Sequence, residues 1–431
     1  MPANKKKIKA LGAKGTESRE KKNLEIYLDY AASTPVREEV QKAMLPYFSK
    51  EFGNPGSSHS LGMRAKEAVN KSRKSVAHLL AAQPEEIIFT GSATESVNLA
   101  IKGLARAYIE KGKHIITSAI EHEAVLSTCK YLEKEEGFSV TYLAVDKYGR
   151  ISPAEFRKAI RKDTIFASIM YANNEIGTIQ PISELAVIAH ERSVFFHTDA
   201  CQAGGALSID VQKVGVDLMT LNGSKIYGPK GVGVLYVKSG IHLHPLIHGG
   251  GQEFGLRSGT LNVPAIVGFA AALELAQKER GQENKRLISL RDSLIALLHK
   301  KIKGISLNGH PQERLPNNIN ITIAGVEGEI VLSYLDMAGI CASSGSACSA
   351  ASKEQSHVLS ALGTVDEGQA IIRFTLGKET TKEELKKVAD ILAEIVASLR
   401  KIDSSKKINT SKKMDTSKRL DSGILRQERE A

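Results

Sequence analysis

Val194-Phe195-Phe196-His197-Thr198-Asp199 and, further along, Asp217-Leu218-Met219-Thr220-Leu221-Asn222-Gly223-Ser224-Lys225 decide the fold. The first stretch reads as a buried strand that ends in an acid. The second reads as the next strand, ending in a lysine. In a doubly wound α/β sheet, functional groups collect beyond the carboxyl ends of the strands. An acid and an amine placed there could hold opposite ends of one flat cofactor, pyridoxal phosphate. Lys225 would form the Schiff base, and Asp199 would keep the pyridine nitrogen protonated so that the ring acts as an electron sink. The plain alternative is a pair of ordinary surface charges of little energetic weight. The pair alone does not choose between them.

Outward from this pair, strands and helices alternate. Glu86–Thr90, His114–Ser118, Ser139–Ala144 and Thr164–Met170 read as strands; Thr94–Glu110 and His122–Lys134 read as helices between them. Val232–Val237 adds a strand after the turn at Gly228. Alternation of this kind predicts an α/β fold, a mainly parallel sheet with helices on both faces. Beyond Pro264 the pattern changes. A long Ala/Leu/Glu/Lys-rich helix runs toward Lys301, short strands follow at Asn318–Ile323 and Ile371–Thr375, and Thr381 with Glu384 forms a capping box for a last helix. A chain of 431 residues exceeds what one core usually serves. The expected organisation is a basic extension over 1–25, a large domain over 26–263, a smaller α+β domain over 264–403 and a basic tail over 404–431.

The net charge of +11 sits on the two ends. Residues 1–25 hold eight Lys/Arg against three Asp/Glu, and residues 404–431 hold eight against four, so the body between them carries only +2. A nucleic-acid enzyme would carry its charge on the folded body instead. The tail repeats in sixes, as in Thr410-Ser411-Lys412-Lys413-Met414-Asp415 and Thr416-Ser417-Lys418-Arg419-Leu420-Asp421. That spacing matches no helical period and predicts a disordered arm, either a solubilising extension or a contact for RNA or an acidic partner. No apolar run is long enough to span a membrane. Four cysteines in so long a chain make no disulfide framework, which points to a reducing, cytoplasmic setting.

Several segments could carry chemistry. Phe89-Thr90-Gly91-Ser92-Ala93-Thr94-Glu95-Ser96 joins a strand to a helix, where N–H groups and hydroxyls can cradle a phosphate, although simple N-capping needs the same residues. His122 follows the strand ending at Ser118 and could move protons over a cofactor ring, or be a plain loop histidine. Asn174, in Asn173-Asn174-Glu175-Ile176-Gly177, could donate to a substrate carboxylate, though such turns need no ligand. Arg373 interrupts the apolar strand Ile371-Ile372-Arg373-Phe374-Thr375 and needs an anionic partner, which a substrate carboxylate would suit. Cys348 lies in Ala342-Ser343-Ser344-Gly345-Ser346-Ala347-Cys348-Ser349, where nothing is large enough to anchor it in a core. A thiol so placed could swing into a site, or be incidental. Cys129 reads as a helix-packing thiol and Cys201 as space-filling. Cys341 and Cys348 lack the second ligand pair of a structural metal site.

From about Ile26 to Ile402 these segments, in order, resemble the cysteine desulfurases. The matching pieces include Tyr27-Leu28-Asp29-Tyr30-Ala31-Ala32-Ser33-Thr34-Pro35, Phe52-Gly53-Asn54-Pro55-Gly56-Ser57-Ser58-His59, Lys225-Ile226-Tyr227-Gly228-Pro229-Lys230-Gly231, His248-Gly249-Gly250-Gly251-Gln252-Glu253, Arg257-Ser258-Gly259-Thr260 and Ser343-Ser344-Gly345-Ser346-Ala347-Cys348. The last is similar to the group with a long mobile cysteine loop (here about 341–353), which serves iron–sulfur cluster assembly and tRNA thiolation. The resemblance implies a homodimer of pyridoxal-phosphate fold type I that converts L-cysteine to L-alanine. Lys225 would carry the cofactor and move protons, Asp199 would pair with its ring nitrogen, Gln202 would bond its ring hydroxyl, and His122 would stack on it. Ala93, Thr94 and, from the partner subunit, Thr260 would surround the phosphate. Asn174 and Arg373 would bind the substrate carboxylate. Cys348 would attack the substrate sulfur as a thiolate, keep it as a persulfide, and pass it to a scaffold or tRNA-thiolation partner; it could also transiently ligate an iron–sulfur cluster. One departure stands out: where the family has Ser-Gly-His before the lysine, this chain has Asn222-Gly223-Ser224, so Asn222 and Ser224 would take over that part of the phosphate site. The tail also differs from the segment with which relatives dock a scaffold. Alternative readings are a selenocysteine lyase or aminotransferase of the same fold, or a non-catalytic sulfur-relay partner.

Overall fold

The computed structural model describes residues 25–345, 356–363 and 368–402. A seven-stranded sheet runs, edge to edge, through Ile87–Thr90, Gly233–Val237, Leu218–Asn222, Phe195–Asp199, Thr164–Ser168, His114–Ser118 and Ser139–Leu143. Only Gly233–Val237 runs against its neighbours; the other six strands point the same way. The fully apolar or small-residue faces of these strands fit burial on both sides. On one face lie Ser60–Leu80, Ile182–His190 and the start of Val263–Lys301, which bring Val76, Leu185 and Phe269 onto Ala167, Phe196 and Met219. On the other, Ala93–Ala107 and Glu123–Glu136 bring Val97, Leu104, Val125 and Leu132 against Ile115, Phe166 and Leu235.

Val263–Lys301 spans 39 residues and takes part in two cores. Its start packs on the large sheet, while Leu287, Leu294 and Leu298 pack under a second, antiparallel sheet ordered Gln369–Thr375, Asn318–Ala324, Ile305–Leu307. A helix over 382–402 closes this second core with Leu385, Val388 and Leu392. Its start has the expected capping box: Thr381 N–H donates to Glu384 Oε2 at 2.8 Å, and Glu384 N–H donates to Thr381 Oγ1 at 3.2 Å.

Three local readings change. The strand leading to Lys225 ends at Asn222, and the lysine follows on a single 3₁₀ turn, Gly223–Lys225. The helix expected from Thr94 to Glu110 stops at Ala107. The N-terminal strand Ile26–Tyr27 pairs in parallel with Ile340–Cys341, and Ile26 and Leu28 bury in the second core, not the first. From there the chain crosses to the large sheet, where Thr34 N–H donates to the Ser224 carbonyl at 3.0 Å. Residues 29–34 therefore form a strap between the two cores.

Candidate active site

Parallel register aligns the carboxyl ends of adjacent strands. Asp199 pairs with Thr220, Ser168 with His197, and Thr117 with Ser168. The segments leaving those ends carry Lys225, Asp199, Asn174 and His122, so four of the residues singled out in the sequence meet along one sheet edge.

Asp199 is 8% exposed, and its Oδ1 accepts the Cys201 N–H at 3.0 Å. Cys201 senses both charged neighbours. Burial, then the Asp199 carboxylate, push its thiol pKa well up, while Lys225 pulls the other way. Lys225 Nζ donates to the carbonyls of Ala31 at 2.9 Å and Ala32 at 2.6 Å, and Gln202 Nε2 donates to Ala31 at 3.0 Å. Two sequence-predicted residues thus converge on the strap. Ser33 Oγ is buried there without a hydrogen-bond partner among the described residues.

Asn222 caps the turn that bears the lysine: its Oδ1 accepts both the N–H and the hydroxyl of Ser224, each at 3.2 Å. The two unusual residues are bonded to each other.

The cradle is built by close approach. Ser92 caps the helix Ala93–Ala107 by accepting the Glu95 N–H at 3.2 Å, which leaves the N–H groups of Ala93 and Thr94 at the helix mouth. A Cβ on Gly233 would lie 2.6 Å from the Ser92 carbonyl carbon, so only glycine lets the neighbouring strand pass here. Thr94 is exposed at that mouth. Thr260 is exposed on a separate loop, and no hydrogen bond among the described residues joins it to this group.

His122 caps the helix Glu123–Glu136; its Nδ1 accepts the Ala124 N–H at 3.0 Å. The neutral ring then carries its proton on Nε2. Behind it, Glu121 is fully buried and accepts the Ser118 hydroxyl at 2.6 Å and the Met170 N–H at 3.0 Å. Burial raises its pKa to about 8 against those two hydrogen bonds.

Arg373 has its expected anion, but from the chain itself. The side chain is 1% exposed; Nη2 meets Asp29 Oδ1 at 2.6 Å and Nη1 donates to the Asn174 carbonyl at 3.1 Å. Nε is buried with no partner among the described residues. Asn174 lies on a turn closed by Gly177, whose φ of +76° and whose N–H bond to the Asn173 carbonyl at 3.0 Å suit glycine. Asp29 was missed as a site residue. Its signals were an acid between Leu28 and Tyr30 in a strand-like stretch and its place in the matching piece Tyr27–Pro35. Cys348 lies outside the described residues, as do 1–24 and 403–431.

A lysine, a buried carboxylate, a helix-mouth cradle and two orphaned buried donors fit pyridoxal phosphate and a carboxylate-bearing substrate. Comparison with known proteins agrees. The profile of the family Aminotransferase class-V matches residues 26–388. The cysteine desulfurase IscS of Dictyoglomus turgidum is 52% identical over 379 residues, 88% of this chain and 96% of that protein. The cysteine desulfurase IscS of Methanosarcina thermophila is 52% identical over 381 residues, 88% and 94% of the two chains. Among solved structures, a NifS-like protein superposes with a TM-score of 0.82 at 37% identity, over 87% of this chain and 100% of that one. SspA in complex with cysteine gives 0.71 at 40%, over 81% and 98%. The chain belongs to the class-V aminotransferases and, within them, to the pyridoxal-phosphate-dependent cysteine desulfurases.

Proposed function

We propose that this chain removes sulfur from L-cysteine, releasing L-alanine, and carries the sulfur as a persulfide on Cys348 to an acceptor in iron–sulfur cluster assembly or tRNA thiolation. The observation that carries the reading is the meeting of Lys225, Gln202 and Arg373 on one strap at the carboxyl edge of the sheet, with Asp199 at the end of the strand paired to the one that leads to Lys225. Lys225, Asp199 and Gln202, with the cradle at Ala93–Thr94 and the Asn222–Ser224 turn, would hold pyridoxal phosphate. Bound there, the cofactor supplies an electron sink for bonds at the substrate's α and β carbons.

The chain's own groups do the rest. Arg373 binds the substrate carboxylate through the guanidinium edge that Asn174 and Asp29 leave open. His122, with its proton on Nε2, and the Lys225 amine hold and deliver protons. The Cys348 thiolate attacks the substrate sulfur. A sulfur–sulfur bond forms, the carbon–sulfur bond breaks with its electrons going to carbon, and that carbon takes a proton to become the methyl group of alanine. The protein works as a homodimer, with Thr260 reaching the partner's phosphate site. Its exposed Leu45, Phe48, Phe52 and Met63, in and between the helices that start at Glu38 and end at Leu80, support a covered face. A cytoplasmic setting agrees with the thiol chemistry, and no helix among the described residues is long and apolar enough to cross a membrane.

Incubation with L-cysteine, with alanine and protein-bound persulfide measured for the wild type and Cys348→Ser, tests the proposal. The wild type should form both, and the variant neither above background. Alanine release undiminished in Cys348→Ser would overturn the assignment of the nucleophile.

A further inference from the structure

Glu95 stands in an awkward place. It occupies the first turn of Ala93–Ala107, the helix mouth that the cofactor reading assigns to a phosphate dianion. Its Oε2 accepts the Gly91 N–H at 2.8 Å, so the carboxylate shapes the cradle while placing a negative charge beside it. Like charges this close would repel the phosphate. Arg257 resolves the conflict: its Nε donates to Glu95 Oε1 at 2.9 Å. A methyl group on Gly91 would stand 2.8 Å from Glu95 Oε2 and 3.8 Å from Arg257 Nη2, so both ends of the pair reach the cradle. Nη1 and Nη2 make no hydrogen bond among the described residues.

Arg257 is held there by a built support. Glu253 N–H donates to the Arg257 carbonyl at 3.0 Å, closing a tight turn between them. Glu253 is itself fully buried; it meets Arg73 through two bonds, at 2.6 and 2.8 Å, and accepts the Phe89 N–H at 2.9 Å. The Arg73 guanidinium lies between the rings of Phe89 and Phe254, 4.9 Å from each centroid. The loop bearing Arg257 is therefore pinned to the strand that ends at the cradle.

We infer that Arg257 is a positioning residue for the cofactor phosphate: it neutralises Glu95, keeps that carboxylate on the Gly91 N–H, and turns its free guanidinium edge toward the bound anion. The inference rests on the pyridoxal-phosphate reading of the site.

Equilibrium binding of pyridoxal phosphate and of pyridoxal, followed by absorbance on the full chain freed of cofactor, tests it. Arg257→Gln should weaken pyridoxal phosphate about tenfold or more, the scale of a lost charge-assisted bond, and leave pyridoxal unchanged. Glu95→Gln should bind pyridoxal phosphate at least as tightly as the wild type. The double variant should recover part of the loss, because the uncompensated Glu95 charge is gone while the guanidinium edge is still missing. Equal weakening of both ligands in Arg257→Gln, no recovery in the double variant, or weaker phosphate binding in Glu95→Gln would each overturn the inference. Should Arg257→Gln fail to fold, the Glu95→Gln result decides. A wild type that binds neither ligand removes the cofactor reading itself, an outcome distinct from the other three.

Discussion

Replacing Arg373 by lysine separates charge from geometry at the proposed site for the substrate carboxylate. The guanidinium serves Asp29 from Nη2 and the Asn174 carbonyl from Nη1, which leaves Nε for an incoming carboxylate. A lysine keeps the positive charge but has a single nitrogen, which cannot meet all three positions at once. The loss is one charge-assisted hydrogen bond, about 1.5–3 kcal/mol. At 1.36 kcal/mol per decade this is a fall of roughly 10- to 150-fold in kcat/KM for L-cysteine, appearing chiefly in KM. Alanine release measured across cysteine concentrations gives the number. Cysteamine, which lacks the carboxylate, should be handled alike by both proteins, and urea unfolding of each separates a binding loss from a folding loss. A kcat/KM within about threefold of the wild type would refute the reasoning, since it falls below the weakest bond of this kind. So would an unchanged KM with a collapsed kcat.

Two further outcomes follow from the same structure. Asn222→Ala removes the cap of the turn that carries Lys225 and should lower stability by about 1 kcal/mol in urea unfolding, as N-cap losses do; Ser224→Ala, which spares the Asn222–Ser224 N–H bond, should cost less. Stability should fall as the pH drops from about 6.5 toward 4. His114 and His197 are buried and neutral, held by Thr164 and Thr141 and by Ser168 and Thr220. Burial lowers both pKa values from 6.5 to about 4. The unfolded chain therefore takes up protons first, and folded stability declines through that window. The double variant His114→Gln/His197→Gln, followed by urea unfolding at pH 7, 5.5 and 4.5, should show a shallower decline; an unchanged slope would rule out these two rings as its source.

Much of this architecture was legible without coordinates, because strand and helix periods are local properties. The runs around Phe196 and Leu218 could be buried only as strands flanked by helices, and an acid and an amine at their ends had to emerge on one edge once the strands were parallel. The strand-to-helix turn proposed to hold the phosphate was readable for a similar reason: Gly91, the capping Ser92 and the helix from Ala93 are contiguous in the chain.

What the residue order could not convey is where distant segments cross. Arg373 announced its need for an anion, but the choice of Asp29 depends on strap residues that pair with a strand more than three hundred positions away. The burial that raises the Glu121 pKa arises where the segments around Ser118 and Met170, distant in the chain, close over one carboxyl group. The Glu95–Arg257 pair likewise exists only because the turn at Glu253 is drawn down onto Arg73. Sequence alone determined which chemical groups this protein has and which local frames present them. The tertiary structure decided which charges meet, because ion pairing and desolvation depend on distance through space and not along the chain.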